Sequence, residues 1–362
     1  MRSTLYWERC IVQKDDDVLV FIESFLAQPT RRALLIAGAG FDPRATRVCE
    51  LLALHMRDRL TAILLREERP NSDPRLRQRA DQNLEKLTSQ VDRRTVCEVD
   101  IFASDNAVIG GREAVKAVAG IPLYDFTDIV LDCSALSRGV VFPIVKFLLP
   151  RTDCKNLHLF VIDQAALDDD ISPVAWEQAS NIHGFRGNLS LPEQVRPARL
   201  WLPQLVTGQK FALDLIYQMV QPHDVCPILP FPTSDPRQPD RLIEAYATEM
   251  ESRWQVDPRN IVYADEHSPL DLYRAIMRIH EARKAIFQNI GSQIVLSPIG
   301  SKILSLGALL AALEQDFPVV YVEAVTYEVD FQKFDQAKQQ HGPLVHMWLK
   351  GDAYDQPSAH QA

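Results

Sequence analysis

The sequence repeats its own landmarks at a nearly constant separation, and that repeat limits the folds open to it. Ile63 in "AILL" corresponds to Ile228 in "PILP", and Asp100 closing "VCEVD" to Asp265 closing "IVYAD", at one and the same separation. "IVLDCSALSRG" corresponds to "IVLSPIGSKIL", which sets Ser137-Arg138 against Ser301-Lys302 at a separation shorter by a single position. "SDPR" occurs at Ser72–Arg75 and again at Ser234–Arg237. Between the landmarks, short apolar runs alternate with amphipathic stretches of helical period. "RALLIAGAGFD", "LTAILLREE", "TVCEVDIF", "DIVLDCSA" and "NLHLFVID" read as strands. They are continuous apolar runs, as strands buried on both faces must be. Strand–helix alternation of this kind predicts α/β architecture: two tandem Rossmann-like units with mainly parallel sheets and helices on both faces. The blander reading is that any two parallel α/β domains share this rhythm; the architecture is the same either way.

The expected domains are residues 1–165 (a first unit with an N-terminal helix), 166–198 (a linker or surface excursion), 199–330 (a second unit) and 331–362 (a C-terminal extension, with "PLVHMWL" as an edge strand). The acid-, proline- and glycine-rich composition of 166–198 carries the linker expectation. A net charge of -9 argues against generic nucleic-acid binding. No apolar run reaches the ~18 residues of a membrane span, and the N-terminus lacks a secretory h-region. Six cysteines are scattered without CxxC spacing, so neither zinc nor a disulfide framework is signalled. A reduced, cytoplasmic protein is expected.

Ligands of open parallel sheets bind beyond the carboxyl ends of the strands. In the first half these positions include Gly40 and Arg44, Arg75, and Ser137 with Arg138. In the second half they include Arg237, Asp265, and Ser297, Gly300, Ser301 and Lys302. "GAGFDPR" opens like a dinucleotide fingerprint, but its third glycine falls at Pro43. Asp42-Pro43 reads instead as a helix cap and a first-turn proline, so no NAD or FAD site, and no other cofactor, is expected. "SDPR" has the same capping reading. An arginine there opposes the helix dipole unless an anion is shared. "SPIGSK" brings small residues, hydroxyls and a lysine to a helix start, the equipment of an anion-binding turn. It is not a P-loop, because the Gly-x4-Gly-Lys spacing is absent. The competing reading is a tight strand–helix turn with nothing bound. Asp265 and His267 in "YADEHSPLDLY" offer acid–base chemistry, or a cap and a solvated histidine. No metal-ligand spacing is visible.

The segment "IVLSPIGSKILSLGALLAAL", followed by "PVVYVEAVTY" and preceded by the helix "SPLDLYRAI", resembles the late part of CARF-type sensor domains. There a strand enters a glycine- and lysine-containing turn and an Ala/Leu-rich helix. The family's usual turn is threonine–glycine–glycine–threonine–lysine; here Gly300, a hydroxyl and Lys302 match. The likeness is carried by this late stretch, and extends to the whole chain only through the duplication. The related SAVED sensors carry two such units in one chain. The first half departs further, with Ser137-Arg138-Gly139 at this turn. The resemblance implies a nucleotide or cyclic oligonucleotide ligand, a role in prokaryotic antiviral defence, and a separate effector protein as partner. It leaves homo-oligomerisation open. The expected function is therefore a sensor or regulatory protein. The alternative is an enzyme acting on a nucleotide or sugar phosphate, with Asp265 or His267 as acid or base and Lys302 stabilising charge.

Overall fold

A computed structural model describes residues 6–70, 72–164, 167–168, 170–187, 197–337 and 342–354. The elements run β1 (Ile11–Lys14), α1 (Asp16–Phe21), β2 (Ala33–Gly38), α2 (Arg47–Met56), β3 (Leu60–Glu68), α3 (Pro74–Gln90), β4 (Arg93–Asp100), α4 (Gly110–Ala119), β5 (Asp128–Asp132), α5 (Arg138–Leu148) and β6 (Asn156–Ile162). Then come β7 (Ile171–Asn181), β8 (Ala198–Pro203), α6 (Lys210–Val220), β9 (Asp224–Val225), β10 (Ile228–Pro230), α7 (Gln238–Ala245), β11 (Val262–Ala264), α8 (Pro269–Ile286), β12 (Ser292–Ser297), α9 (Lys302–Gln315) and β13 (Val320–Val329). The described chain closes with α10 (Phe331–Ala337) and β14 (Leu344–Lys350).

The chain is α/β and divides into two Rossmann-like units. The first comprises Cys10–Asp170 and the segment from Val329 onward; the second comprises residues 6–9 and Ile171–Glu328. The first unit's sheet has the order β1-β14-β6-β5-β2-β3-β4, with β6 to β4 parallel and β14 and β1 antiparallel. Every residue of β2, β5 and β6 is buried, as continuous apolar runs require. β4 lies at the edge, and its exposed arginines and acids guard that edge. In the second unit β12, β8 and β9 pair in parallel, as do β10 and β11. Single parallel bridges, Gln204 to Ile228 and Leu296 to Val319, extend that ladder to β10 and β13. The order β11-β10-β8-β12-β13 therefore follows β4-β3-β2-β5-β6. The starts of β2 and β8, Ala33 and Ala198, keep the separation of Ile63 from Ile228. The starts of β5 and β12, of α5 and α9, and of β6 and β13 all keep the slightly shorter separation of Ser137 from Ser301.

Two boundaries differ from the sequence reading. The expected linker contains β7, which pairs with β13. The expected C-terminal extension belongs to the first unit, and its strand β14 is not an edge. It lies between β1 and β6 and is buried along nearly its whole length. The edge is β1, a short run of mixed polarity. Residues 6–9 are held to the second unit: the Trp7 N–H donates to the Tyr273 hydroxyl at 3.1 Å, and Arg274 pairs with Glu8.

β14 and β6 meet over a buried polar chain. His158 Nε2 lies 3.2 Å from Asp128 Oδ1, and His158 Nδ1 lies 3.0 Å from His346 Nε2. His346 Nδ1 lies 2.8 Å from Gln13 Oε1. The carboxylate can only accept, and this fixes the His158 tautomer: His158 Nε2–H donates to Asp128. Phe21 stacks on His346 with ring centroids 4.3 Å apart. Burial lowers the pKa of His158 against the pull of Asp128, and lowers that of His346 well below its ordinary value of 6.5.

In the second unit α9 is buried on all sides from Ile303 to Ala312 and packs against α8. A Cβ at Gly307 would lie 2.3 Å from the Pro269 carbonyl oxygen, so the glycine sets how closely α9 approaches α8. We expect Gly307→Ala to cost about 1–3 kcal/mol in urea denaturation, the usual range for overpacking.

The histidine chain predicts a pH dependence with a definite sign. Below pH 6.5, and down to the depressed folded values, the unfolded chain binds more protons than the folded one. Stability must therefore fall as pH drops through that window. Urea denaturation at about pH 7.5 and about pH 5.5 should show the loss, and His346→Gln should shrink the difference between the two.

Candidate functional site

In each unit the strand order reverses between two neighbouring strands, β2 and β5 in the first and β8 and β12 in the second. The crevice beyond their carboxyl ends is where a fold of this class binds ligands. In the first unit the two turns touch. A Cβ on Gly38 would lie 3.0 Å from the Leu136 side chain and 3.1 Å from the Ala135 carbonyl carbon, so any larger residue would push that turn back by a few tenths of an ångström. Gly40 stands in the same turn, its carbonyl accepting from Asn83 Nδ2 at 2.9 Å.

The second unit's turn, Ser297–Lys302, uses its hydroxyls internally. Ser297 is buried, and its Oγ accepts from Trp201 Nε1 at 2.9 Å. Ser301 is the N-cap of α9, its Oγ accepting from the Leu304 N–H at 3.2 Å. The Gly300 N–H donates to Gln204 Oε1 at 3.1 Å, and a Cβ there would meet that oxygen at 2.7 Å. Gln204 Nε2 donates onward to the Leu304 carbonyl. Lys302 is the first residue of α9 and is half-buried.

The sister turn has a different occupant. The Ser137 N–H donates to Glu67 Oε1 at 2.7 Å, and Glu67 Oε2 pairs with Arg69 at 2.8 Å. Ser134 Oγ accepts from the Ile162 N–H, and Ser137 Oγ is buried without a hydrogen-bond partner among the described residues. Arg138 opens α5, half-buried, as Lys302 opens α9. Where the second unit presents a neutral amide oxygen to its turn, the first presents its own carboxylate.

The arginines expected beside these turns share a local motif that the sequence reading quoted only in part. Asp-Pro-Arg occurs at Asp42–Arg44, Asp73–Arg75, Asp235–Arg237 and Asp257–Arg259. In all four the aspartate accepts from the N–H of the arginine two residues on, at 2.7–3.0 Å. In three the guanidinium then folds back onto the same carboxylate: Arg44 on Asp42, Arg75 on Asp73 and Arg259 on Asp257. Proline fixes the first helical φ, the aspartate caps, and the arginine neutralises the cap. The anion that lets an arginine sit at a helix start is thus the cap itself. In the second "SDPR" copy Asp235 pairs with Arg241 instead, and α7 begins after the motif, at Gln238. Arg75 also lies 4.0 Å over the Phe331 ring. These contacts hold the Asp73 and Asp257 carboxyls low, Asp257 at about 2.

Arg44 is the buried case. Its side chain is 3% exposed, clamped by Asp42 through Nε and Nη2 and paired with Asp168 at 2.8 Å. Burial alone would lower its pKa; the two carboxylates outweigh that and raise it.

At the ends of β10 and β11 the fold makes a pairing that spacing could not select. Ser234 Oγ lies 3.1 Å from His267 Nε2. Glu266 is buried; its Oε2 accepts from Thr233 Oγ1 at 2.6 Å and from the Ser234 N–H at 3.1 Å, and lies 3.9 Å from His267 Nε2. Asp265 is tied to its own turn, with Oδ1 accepting from the His267 N–H and its N–H donating to Asp271. Serine and acid thus stand on the same imidazole nitrogen. In a hydrolytic triad they face opposite nitrogens. Among the described residues, no cluster of three or more His, Cys, Asp or Glu side chains is arranged to hold a metal ion, and no helix is long and apolar enough to cross a membrane.

No protein-family model matches the chain, and no curated protein matches it. Among solved structures it is similar to a universal stress protein of Pseudomonas aeruginosa UCBPP-PA14, at 10% identity over 86% of this chain and 97% of that one, with a TM-score of 0.22. A likeness that low carries no functional information.

The Asp-Pro-Arg geometry sorts the arginines by burial. Arg44→Ala strands two carboxylates and should cost about 3–5 kcal/mol. Arg75→Ala and Arg259→Ala, on exposed caps, should be close to neutral. Urea denaturation of the three variants measures the contrast.

Proposed function

We propose that the chain is a regulatory ligand-binding protein whose second unit takes a nucleotide-type anion at the Ser297–Lys302 turn. One observation carries the reading. The Gly300 N–H faces the neutral Gln204 amide, whereas the equivalent turn of the first unit is already filled by Glu67. A phosphate oxygen makes a charge-assisted bond about twice as strong as a neutral one, so it can displace an amide oxygen. It cannot share a turn with a fixed carboxylate. Lys302 opens α9, whose N-terminus adds positive potential at this turn. The first unit's Arg44, Arg75, Ser137 and Arg138 are assigned no ligand role in this reading. Arg237 and Asp265 stand at the strand ends as secondary contacts.

The resemblance to CARF and SAVED sensors supplies the ligand class to try first, cyclic oligonucleotides, and a function exerted through an effector protein in antiviral defence. A cytoplasmic location accords with six cysteines that form no disulfide. A second reading, hydrolysis, draws on Ser234 Oγ and His267 Nε2 at 3.1 Å. There Glu266 stands on the same imidazole nitrogen as the serine, whereas a triad sets them on opposite nitrogens.

Thermal-shift screening against mono-, di- and cyclic oligonucleotides, followed by mass spectrometry of the ligand, separates the two. The sensor reading expects stabilisation without conversion, lost in Lys302→Ala and in Gln204→Glu, which installs the internal carboxylate. Conversion abolished by His267→Ala supports the enzyme. Absence of any shift, or a shift unchanged in Lys302→Ala, rules the anion turn out.

A further inference from the structure

The first unit's sheet ends in a long open strand. β4 pairs with β3 along one side, and among the described residues no strand pairs with its other side. An edge of eight residues is a template for a further strand. The ladder decides which groups it offers. The Ile101 N–H donates back to the Glu68 carbonyl, so the odd-numbered residues turn their backbone groups toward β3. The backbone groups of Arg94, Val96, Glu98 and Asp100 therefore point outward. The side chains of these four residues are exposed as well.

The charges on this edge are ordered. Arg93 and Arg94 open the strand, and Glu98 and Asp100 close it. Glu98 and Asp100 have no ion-pair partner among the described residues, and Arg94 is held only by the Val91 and Asp92 carbonyls. Charges of this kind turn away a strand of unmatched pattern, but they match their own copy in one orientation. An antiparallel copy lays the basic start of each strand on the acidic end of the other; a parallel copy lays like on like.

Symmetry narrows the register. Two antiparallel copies of one strand are related by a two-fold axis normal to the sheet, which keeps every side chain on its own face. Opposed residues are then both even or both odd. One such register sets Arg94 against Asp100 of the second copy and Val96 against Glu98, with Cys97 opposite its own mate. The next register one way keeps an acid, Glu98, opposite Arg94 but sets Asp92 on Asp100. The next one the other way sets Glu98 on itself. Like charges directly opposite are destabilising. In the favoured register the outward-pointing even residues form the hydrogen-bonded pairs, and the Cys97 pair is a non-hydrogen-bonded one, with Cα atoms about 4.5 Å apart.

We propose that β4 pairs antiparallel with β4 of a second copy of this chain, Arg94 facing Asp100, to form a two-fold dimer with one continuous sheet. The interface is independent of the nucleotide-type site proposed for the second unit. One strand pair is small beside a standard interface of about 1,600 Å², so the dimer forms only at raised concentration.

Sedimentation of the full chain over a concentration series tests this, together with brief oxidation by copper–phenanthroline. The mass should double reversibly as concentration rises. Oxidation should yield a covalent dimer that Cys97→Ser abolishes, because Cys97 is the one cysteine of the six that is not buried, and the expected Cα separation lies within the disulfide range of about 4.4–6.8 Å. Val96→Pro removes an N–H that β3 does not use, a place where an edge strand accepts proline, and should weaken association about tenfold or more. Arg94→Asp should abolish the dimer, and adding Asp100→Arg to the same chain should restore it. A monomer at every concentration, association unchanged in Val96→Pro, a crosslink that persists in Cys97→Ser, or no recovery in the double variant each overturns the proposal.

Discussion

A backbone N–H at the end of a buried strand has to find an acceptor, and in this chain the acceptors come from the chain itself. Glu67 serves the Ser137 turn, Gln204 the Gly300 turn, Glu266 the Ser234 loop, and Asp42 and Asp73 the first turns of their helices. Such groups cost free energy when buried unpaired, so the strand–helix connections can be short only because these side chains reach them. The Rossmann-like units hold their shape on that condition. The same contacts decide what a ligand meets: a neutral and replaceable partner at one turn, a fixed carboxylate at the other.

The two units therefore share an architecture and differ in chemistry. Strand order and spacing match closely, yet the residues at equivalent turns have separate employments. In the second unit the serines are consumed by Trp201 and by the α9 cap. In the first, the acid on β3 does what a ligand would do, and Arg69 balances it. Charge, rather than fold, distinguishes a turn that can accept an anion from one that already has one.

Much of the architecture was legible in the sequence, because continuous apolar runs such as "ALLIAG" and "NLHLFVI" have few ways to be buried. The capping role of Asp42-Pro43 and Asp73-Pro74 was legible too, since it is settled within three residues. What was hidden depends on distant partners. "PLVHMWL" reads as an edge strand; the place of His346 inside the sheet depends on His158, Asp128 and Gln13, up to 333 residues away in sequence. Glu67 and Ser137, 70 residues apart, and Ser234 and His267, 33 apart, meet only through the strand order. Arg44 and Arg75 each find a partner close by in sequence, the aspartate two residues before.

The position of β14 has a consequence for how the chain is made. The first unit's sheet is finished by a strand that follows the entire second unit in the sequence, and β1 can pair only once β14 is in place. On the ribosome, the first half must wait with the flank of β6 uncovered while the second half is synthesised. An unpaired strand edge held open over that interval is a surface prone to aggregation. The histidines on β6 and β14 then act late, closing a sheet whose other strands are already in register.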